Sequence, residues 1–123
     1  MSLWKFGEFE KDIDFTDADF LEKLESAQEQ LDRESGEVAK VGKTSDIIRE
    51  QFACFVHFFD TLFGEGTSRL MYGDRTSLEL AMRSCEEFAR FGTSEDRRID
   101  NIYGKYKVNG SRQKRRNNGA RQQ

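Results

Sequence analysis

Residues 47–63 constrain this chain more than any other part of it. Ile47, Ile48, Phe52, Ala53, Phe55, Val56, Phe58, Phe59, Leu62 and Phe63 fall in this stretch. At 100° per residue they cover well over half of a helical circumference. Thr44 or Ser45 stands where a cap belongs, Asp46 follows in the first turn, and Gly64 is expected to supply the left-handed residue that ends the helix. A helix apolar on several sides has to be packed on several sides, so this one is expected at the centre of a mostly α-helical domain. His57 and Asp60 interrupt the run, which is also too short for a bilayer, so no membrane partner is expected.

The flanking segments supply its partners. Phe20, Leu24, Ala27 and Leu31 recur at spacings of four, three and four, drawing one narrow apolar stripe on an otherwise charged helix that is expected to begin after a Thr16 cap. Beyond Arg33 the pattern fades into a glycine-containing loop. Residues 67–72 read as a short helical turn bounded by glycines. A further helix is expected from Thr76, where Thr-Ser-Leu-Glu79 has the form of a capping box, to Phe91, with Gly92 ending it and a last short helix following from Thr93 or Ser94. Trp4 and Phe6 alternate with polar neighbours before Gly7, which predicts an N-terminal β-hairpin within residues 1–15 anchored by Trp4, Phe9 and Ile13. The expected fold is therefore a compact bundle of about four helices with a short hairpin, spanning 1–103.

Residues 104–123 differ in kind. They carry seven cations and no acid, which leaves thirteen cations against twenty-three acids in the rest, a tail of +7 on a body of −10. Arg112, Lys114, Arg115, Arg116 and Arg121 dominate this tail, and its Gly, Asn and Gln content is too polar to offset the entropy of ordering, so it is expected to be flexible. The tail leaves three roles open, namely solubility, contact with an acidic partner and binding of nucleic acid, and the last is open to the tail alone, since the acidic body repels phosphate. Nothing at the N-terminus reads as an export signal, because Lys5, Glu8 and Glu10 break the apolar residues, and the expected location is cytoplasmic.

No constellation satisfies the requirements of a reaction. Cys54 and His57 share a helix face at a spacing of three, yet the turn is surrounded by Phe and lacks an orienting group, so the two thiols, Cys54 and Cys85, read as core residues. Asp12, Asp14, Asp17 and Asp19 begin like a calcium loop but place Asp17 at the glycine position and Lys23 at the closing glutamate, so helix capping accounts for them better. Gly64-Glu-Gly-Thr-Ser68 lacks the lysine of a phosphate loop and reads as a turn. No enzyme activity, metal or cofactor is expected.

Three runs carry a family likeness: Ser45-Asp-Ile-Ile-Arg-Glu-Gln51, Phe58-Phe-Asp-Thr-Leu-Phe-Gly-Glu-Gly-Thr67 and Glu86-Glu-Phe88. Together with the order of parts, a strand segment, a helical body and a polar tail over 106–123, the chain resembles small phage and prophage proteins of the tail assembly chaperone type. The resemblance implies a host-cytoplasmic assembly factor that binds the tape-measure protein and helps recruit tail-tube protein around it. Many such chaperones are also made in a longer frameshifted form. The family defines no invariant active site, so what carries over is a role.

On this reading the partner-binding surface comprises Phe52, Phe55 and Phe59 on the Phe-rich helix with Leu24 and Leu31 on the preceding stripe, and self-association through the same surface is a further expectation. Two other classes compete with it. One is a structural virion component, such as a connector or tail-completion protein. The other is a nucleic-acid-associated phage protein acting through the basic tail.

Overall fold

The computed structural model describes the backbone of residues 2–120 and the side chains of residues 2–102. The chain is mostly helical behind a short hairpin: β1 (Ser2–Phe6), β2 (Phe9–Ile13), α1 (Ala18–Gly36), α2 (Thr44–Phe63), α3 (Thr67–Tyr72) and α4 (Leu78–Ala120). Met1–Arg90 form one unit and Phe91–Gln123 a second.

The hairpin is antiparallel, with Ser2 opposite Ile13, Trp4 opposite Lys11 and Phe6 opposite Phe9. Gly7 and Glu8 alone make the loop. Gly7 has φ +62° while Glu8 stays at negative φ, the pattern of a II′ turn, whose twist matches that of the flanking strands. Alternation puts Trp4, Phe6, Phe9 and Ile13 on one buried face and Leu3, Lys5, Glu10 and Asp12 on the other, exposed one. The three expected anchors are buried, and Phe6 joins them.

That buried face meets the helices through aromatic rings. Trp4, 4% exposed, stacks on Phe59 of α2 at 6.0 Å and meets Phe88 of α4 edge-on at 5.0 Å. Phe9 packs on Phe63 at 5.2 Å and Phe6 meets Tyr72 of α3 edge-on at 6.2 Å. The hairpin turn also closes a helix end. The Glu8 amide donates to the Leu70 carbonyl at 2.9 Å, one of the carbonyls that α3 leaves free at its C-terminus.

α1 starts one residue later than the Thr16 cap implies. Asp17 is the N-cap, accepting from the Asp19 amide at 3.1 Å, while Asp14 accepts from both the amide and the hydroxyl of Thr16. A carboxylate outcompetes a hydroxyl for these amides because it also meets the positive end of the helix dipole. Phe20 lies 6.2 Å from Phe63, and Glu34 reaches His57, so α1 runs antiparallel to α2.

The remaining helix ends depart from expectation in instructive ways. α2 has Lys43 at its N-cap with no side-chain bond, so neither Thr44 nor Ser45 caps it. Gly64 does end α2, at φ 116° and ψ 157°; the left-handed residue is Gly66, at φ 94° and ψ −10°. α4 is capped by Ser77, whose hydroxyl accepts from the Leu80 amide at 3.2 Å, which displaces the expected capping box at Thr76. The helix then passes through Gly92 without a break and absorbs the separate last helix expected after it. A single glycine raises the cost of a helix by only about 1 kcal/mol, and ending the helix there needs a positive φ that Gly92 does not adopt. In the second unit, Arg98 pairs with Glu95 one turn away at 3.2 Å. The expected flexibility of 104–123 falls on residues whose side chains lie outside the described ones.

Two glycines give opposite expectations. At Gly7 an added Cβ would strike the Met71 carbonyl oxygen and also strain a positive φ, so Gly7→Ala should lower the urea unfolding free energy by about 1–3 kcal/mol. At Gly36 an added Cβ meets nothing within 4 Å, and Gly36→Ala should raise it by about 0.4–1 kcal/mol.

Candidate protein-binding surface

The apolar arc of α2 is finished unequally along its length. In the C-terminal half, Cys54, Phe58, Phe59 and Leu62 are buried. Ile47, Ile48, Phe52, Phe55 and Val56 continue the same arc over residues 47–56 but are only half-buried, as is Phe63 at the C-terminal end. The direction of α1 accounts for much of this. With Glu34 beside His57, α1 ends near the middle of α2, and the first turns of α2 run on past it. Val41, in the segment joining the two helices, is 87% exposed.

The five apolar positions expected to meet a partner divide accordingly. Phe59 is 0% exposed and sits between Trp4, Phe58 and Phe88, so its ring belongs to the core in this fold. Phe52 is half-buried and packs on Tyr72 at 5.1 Å. Phe55 is half-buried, as are Leu24 and Leu31 on α1. Phe52 and Phe55 thus share the half-open arc with Ile47, Ile48 and Val56, which a whole-helix apolar pattern does not single out. The side chains of Arg112, Lys114, Arg115 and Arg116, and the whole of Arg121, lie outside the described residues.

The one histidine has an acidic partner. Nδ1 of His57 lies 2.8 Å from Oε2 of Glu34, and the amide nitrogen of Gln30 donates to the same oxygen at 3.0 Å, so a three-residue polar cluster joins α1 to α2. Cys54 instead donates to the Glu50 carbonyl at 3.4 Å, and burial pushes its thiol pKa up, with Glu34 adding to the effect. A thiol kept protonated is a poor nucleophile. Cys85 is likewise pushed up, by burial, to about 11. Deeper in the unit, Tyr72 and the fully buried Ser84 share a hydrogen bond at 2.7 Å, Ser84 donates on to the Ala81 carbonyl at 2.6 Å, and burial raises the Tyr72 phenol.

The acidic and glycine-rich motifs are used locally. Asp60 accepts from the amide of Ser68 at 2.8 Å and from its hydroxyl at 3.2 Å, so a carboxylate already fills the place that a phosphate would need at the start of α3. A half-open cleft of about 360 Å³ is lined by Asp12, Asp14, Asp17 and Asp19, by Lys11 and Lys23, and by the apolar Ile13, Phe20, Leu62 and Phe63. Periodicity gave no sign of this cleft, because its walls come from β2, α1 and α2. Among the described residues no group of three or more His, Cys, Asp or Glu is placed to hold a metal ion, and no helix is long and apolar enough to cross a membrane.

Residues 7–119 match the model of a family of unknown function, DUF6673. The chain belongs to that family. The matched span of this DUF6673 chain begins at the hairpin turn and takes in the whole of α1, α2 and α3. No curated protein and no solved structure matches the chain.

The raised Tyr72 and Cys85 pKa values set an alkaline limit on stability. Both groups are held in their neutral forms by the fold, so unfolding releases protons once the pH passes their ordinary values near 10 and 9. Their contribution to the unfolding free energy should be level below about pH 8 and fall as the pH rises towards 11. Tyr72→Phe should flatten that fall in urea titrations, measured relative to the variant's own stability at pH 8.

Proposed function

We propose that this protein acts by binding another protein, as a tail assembly chaperone that holds the tape-measure protein while tail-tube subunits gather around it. The observation that carries the binding role is the half-open N-terminal part of the α2 arc, where Ile47, Ile48, Phe52, Phe55 and Val56 continue a core-forming pattern without full cover. The likeness of the runs 45–51, 58–67 and 86–88 to tail assembly chaperones supplies the identity of the client.

The two fit physically. A tape-measure protein is long and largely helical, and before the tube encloses it, it presents apolar stripes to water. An amphipathic client helix can lay such a stripe along this arc, using anchors at the spacing that Ile48, Phe52 and Phe55 offer in return. Residues left partly exposed in the free protein can be covered by a client and uncovered again without disturbing the core. The acidic body favours a client with a basic polar face, and complementary charge would speed their encounter.

Co-expression with the tape-measure and tail-tube proteins of the same genome, followed by pull-down, tests this directly. The tape-measure protein should be captured, and purified virions should lack this chain. Phe55→Ala should weaken capture at least tenfold while the circular dichroism spectrum is kept. Phe52→Ala should weaken both capture and fold, because its ring also supports Tyr72. Failure of capture, or presence of the chain in finished particles, would favour a structural virion component instead.

A further inference from the structure

The hairpin has an edge that the rest of the described chain leaves unused. In a two-residue antiparallel hairpin the residues flanking the loop exchange hydrogen bonds, and the pattern then alternates. Phe6, Trp4 and Ser2 therefore bond inward to β2, and the backbone N–H and C=O groups of Leu3 and Lys5 point away from it. No described residue bonds to those outward groups. The side chains beside them are also open, with Leu3 57% exposed and the Lys5 side chain 64% exposed.

We infer that the outer edge of β1 joins two copies of this chain, pairing antiparallel about a two-fold axis at Trp4 to make a four-stranded sheet. Centred there, Leu3 of each copy lies opposite Lys5 of the other, and the two exchange both backbone hydrogen bonds. The exposed Leu3 side chain then lies along the aliphatic stem of the facing lysine, whose ammonium is already bridged by its own Glu10 at 3.9 Å. The second edge of the sheet cannot do the same. Its outward residues are Glu10 and Asp12, and the equivalent symmetric pairing about Lys11 would set acid directly against acid.

Pairing β1 to the β2 edge of another copy would match charge better, but each addition leaves a fresh edge, whereas the symmetric pair closes on itself. A two-stranded sheet is short of partners in water, and two of them sharing the β1 edge satisfy the outward groups of Leu3 and Lys5 in both copies. This surface is distinct from the α2 arc and does not depend on the client proposed for it.

The test is sedimentation equilibrium of the full chain with substitutions at the exposed Leu3. Leu3→Lys sets like charges face to face twice across the axis and should weaken dimerisation about tenfold, whereas Leu3→Glu sets each acid against a lysine and should tighten it several-fold. Lys5→Pro, which removes an outward N–H and spares the ladder, should give a monomer whose urea midpoint matches that of the parent chain at concentrations too low for pairing. Phe55→Ala should leave the dimer intact. A chain that stays monomeric at millimolar concentration, or a dimer indifferent to both Leu3 substitutions, would overturn the inference. So would a dimer lost with Phe55→Ala but kept with Leu3→Lys, which would place self-association on α2.

Discussion

The insertion of Trp4 among the rings of Phe59, Phe63 and Phe88 is the contact on which the first unit depends. It joins three separate parts of the chain: the N-terminal strand, the central helix and the start of α4. A hairpin of this length is marginal alone in water, so β1 and β2 hold their register because the aromatic face is removed from solvent by the helices. The dependence runs both ways. Without the hairpin, Phe59 and Phe63 would be left facing water along one side of α2, and the Leu70 carbonyl at the end of α3 would lose the Glu8 amide.

Polar side chains near the helix ends are spent on local geometry. Asp14 holds Thr16, Asp17 caps α1, Asp60 ties the start of α3 to the last turn of α2, and Ser77 caps α4. Asp17, Asp60 and Ser77 each satisfy a backbone amide that a helix start leaves free, and Asp14 fixes the turn before α1. This accounting explains why motifs that look chemical in one dimension, the aspartate run and the Gly-Glu-Gly turn, have structural work in three. The Glu34–His57–Gln30 cluster does the same between helices, fixing how far α1 extends along α2.

The half-open arc of α2 arises from a packing limit. The first unit has one long central helix that is apolar over most of its circumference, and the elements around it are a two-stranded hairpin, a narrow-striped helix, a helix of six residues and the part of α4 that carries Phe88. These bury Cys54, Phe58, Phe59 and Leu62 and leave the arc from Ile47 to Val56 partly covered. The surface that remains is where protein binding is proposed, and its residues are those whose burial a monomer does not complete.

The sequence by itself determined the kind of elements and most of their places along the chain. The central helix, the short helix between glycines and the hairpin with Trp4, Phe9 and Ile13 inward all follow from periodicity and turn chemistry, which are local. Local rules also explain the misplacements. Adjacent cap candidates such as Thr16 and Asp17, or Thr76 and Ser77, differ by one residue, and Gly92 permits a helix as readily as it permits an end. Only the tertiary structure decided which apolar residues are core and which are surface. Phe55 and Phe59 lie one turn apart in the same Phe-rich run, yet Phe59 is sealed against Trp4 and Phe55 is half-buried. No window of neighbouring residues contains that distinction, because Trp4 is brought to Phe59 from the far end of the unit, and burial is set by whatever arrives from elsewhere in the chain.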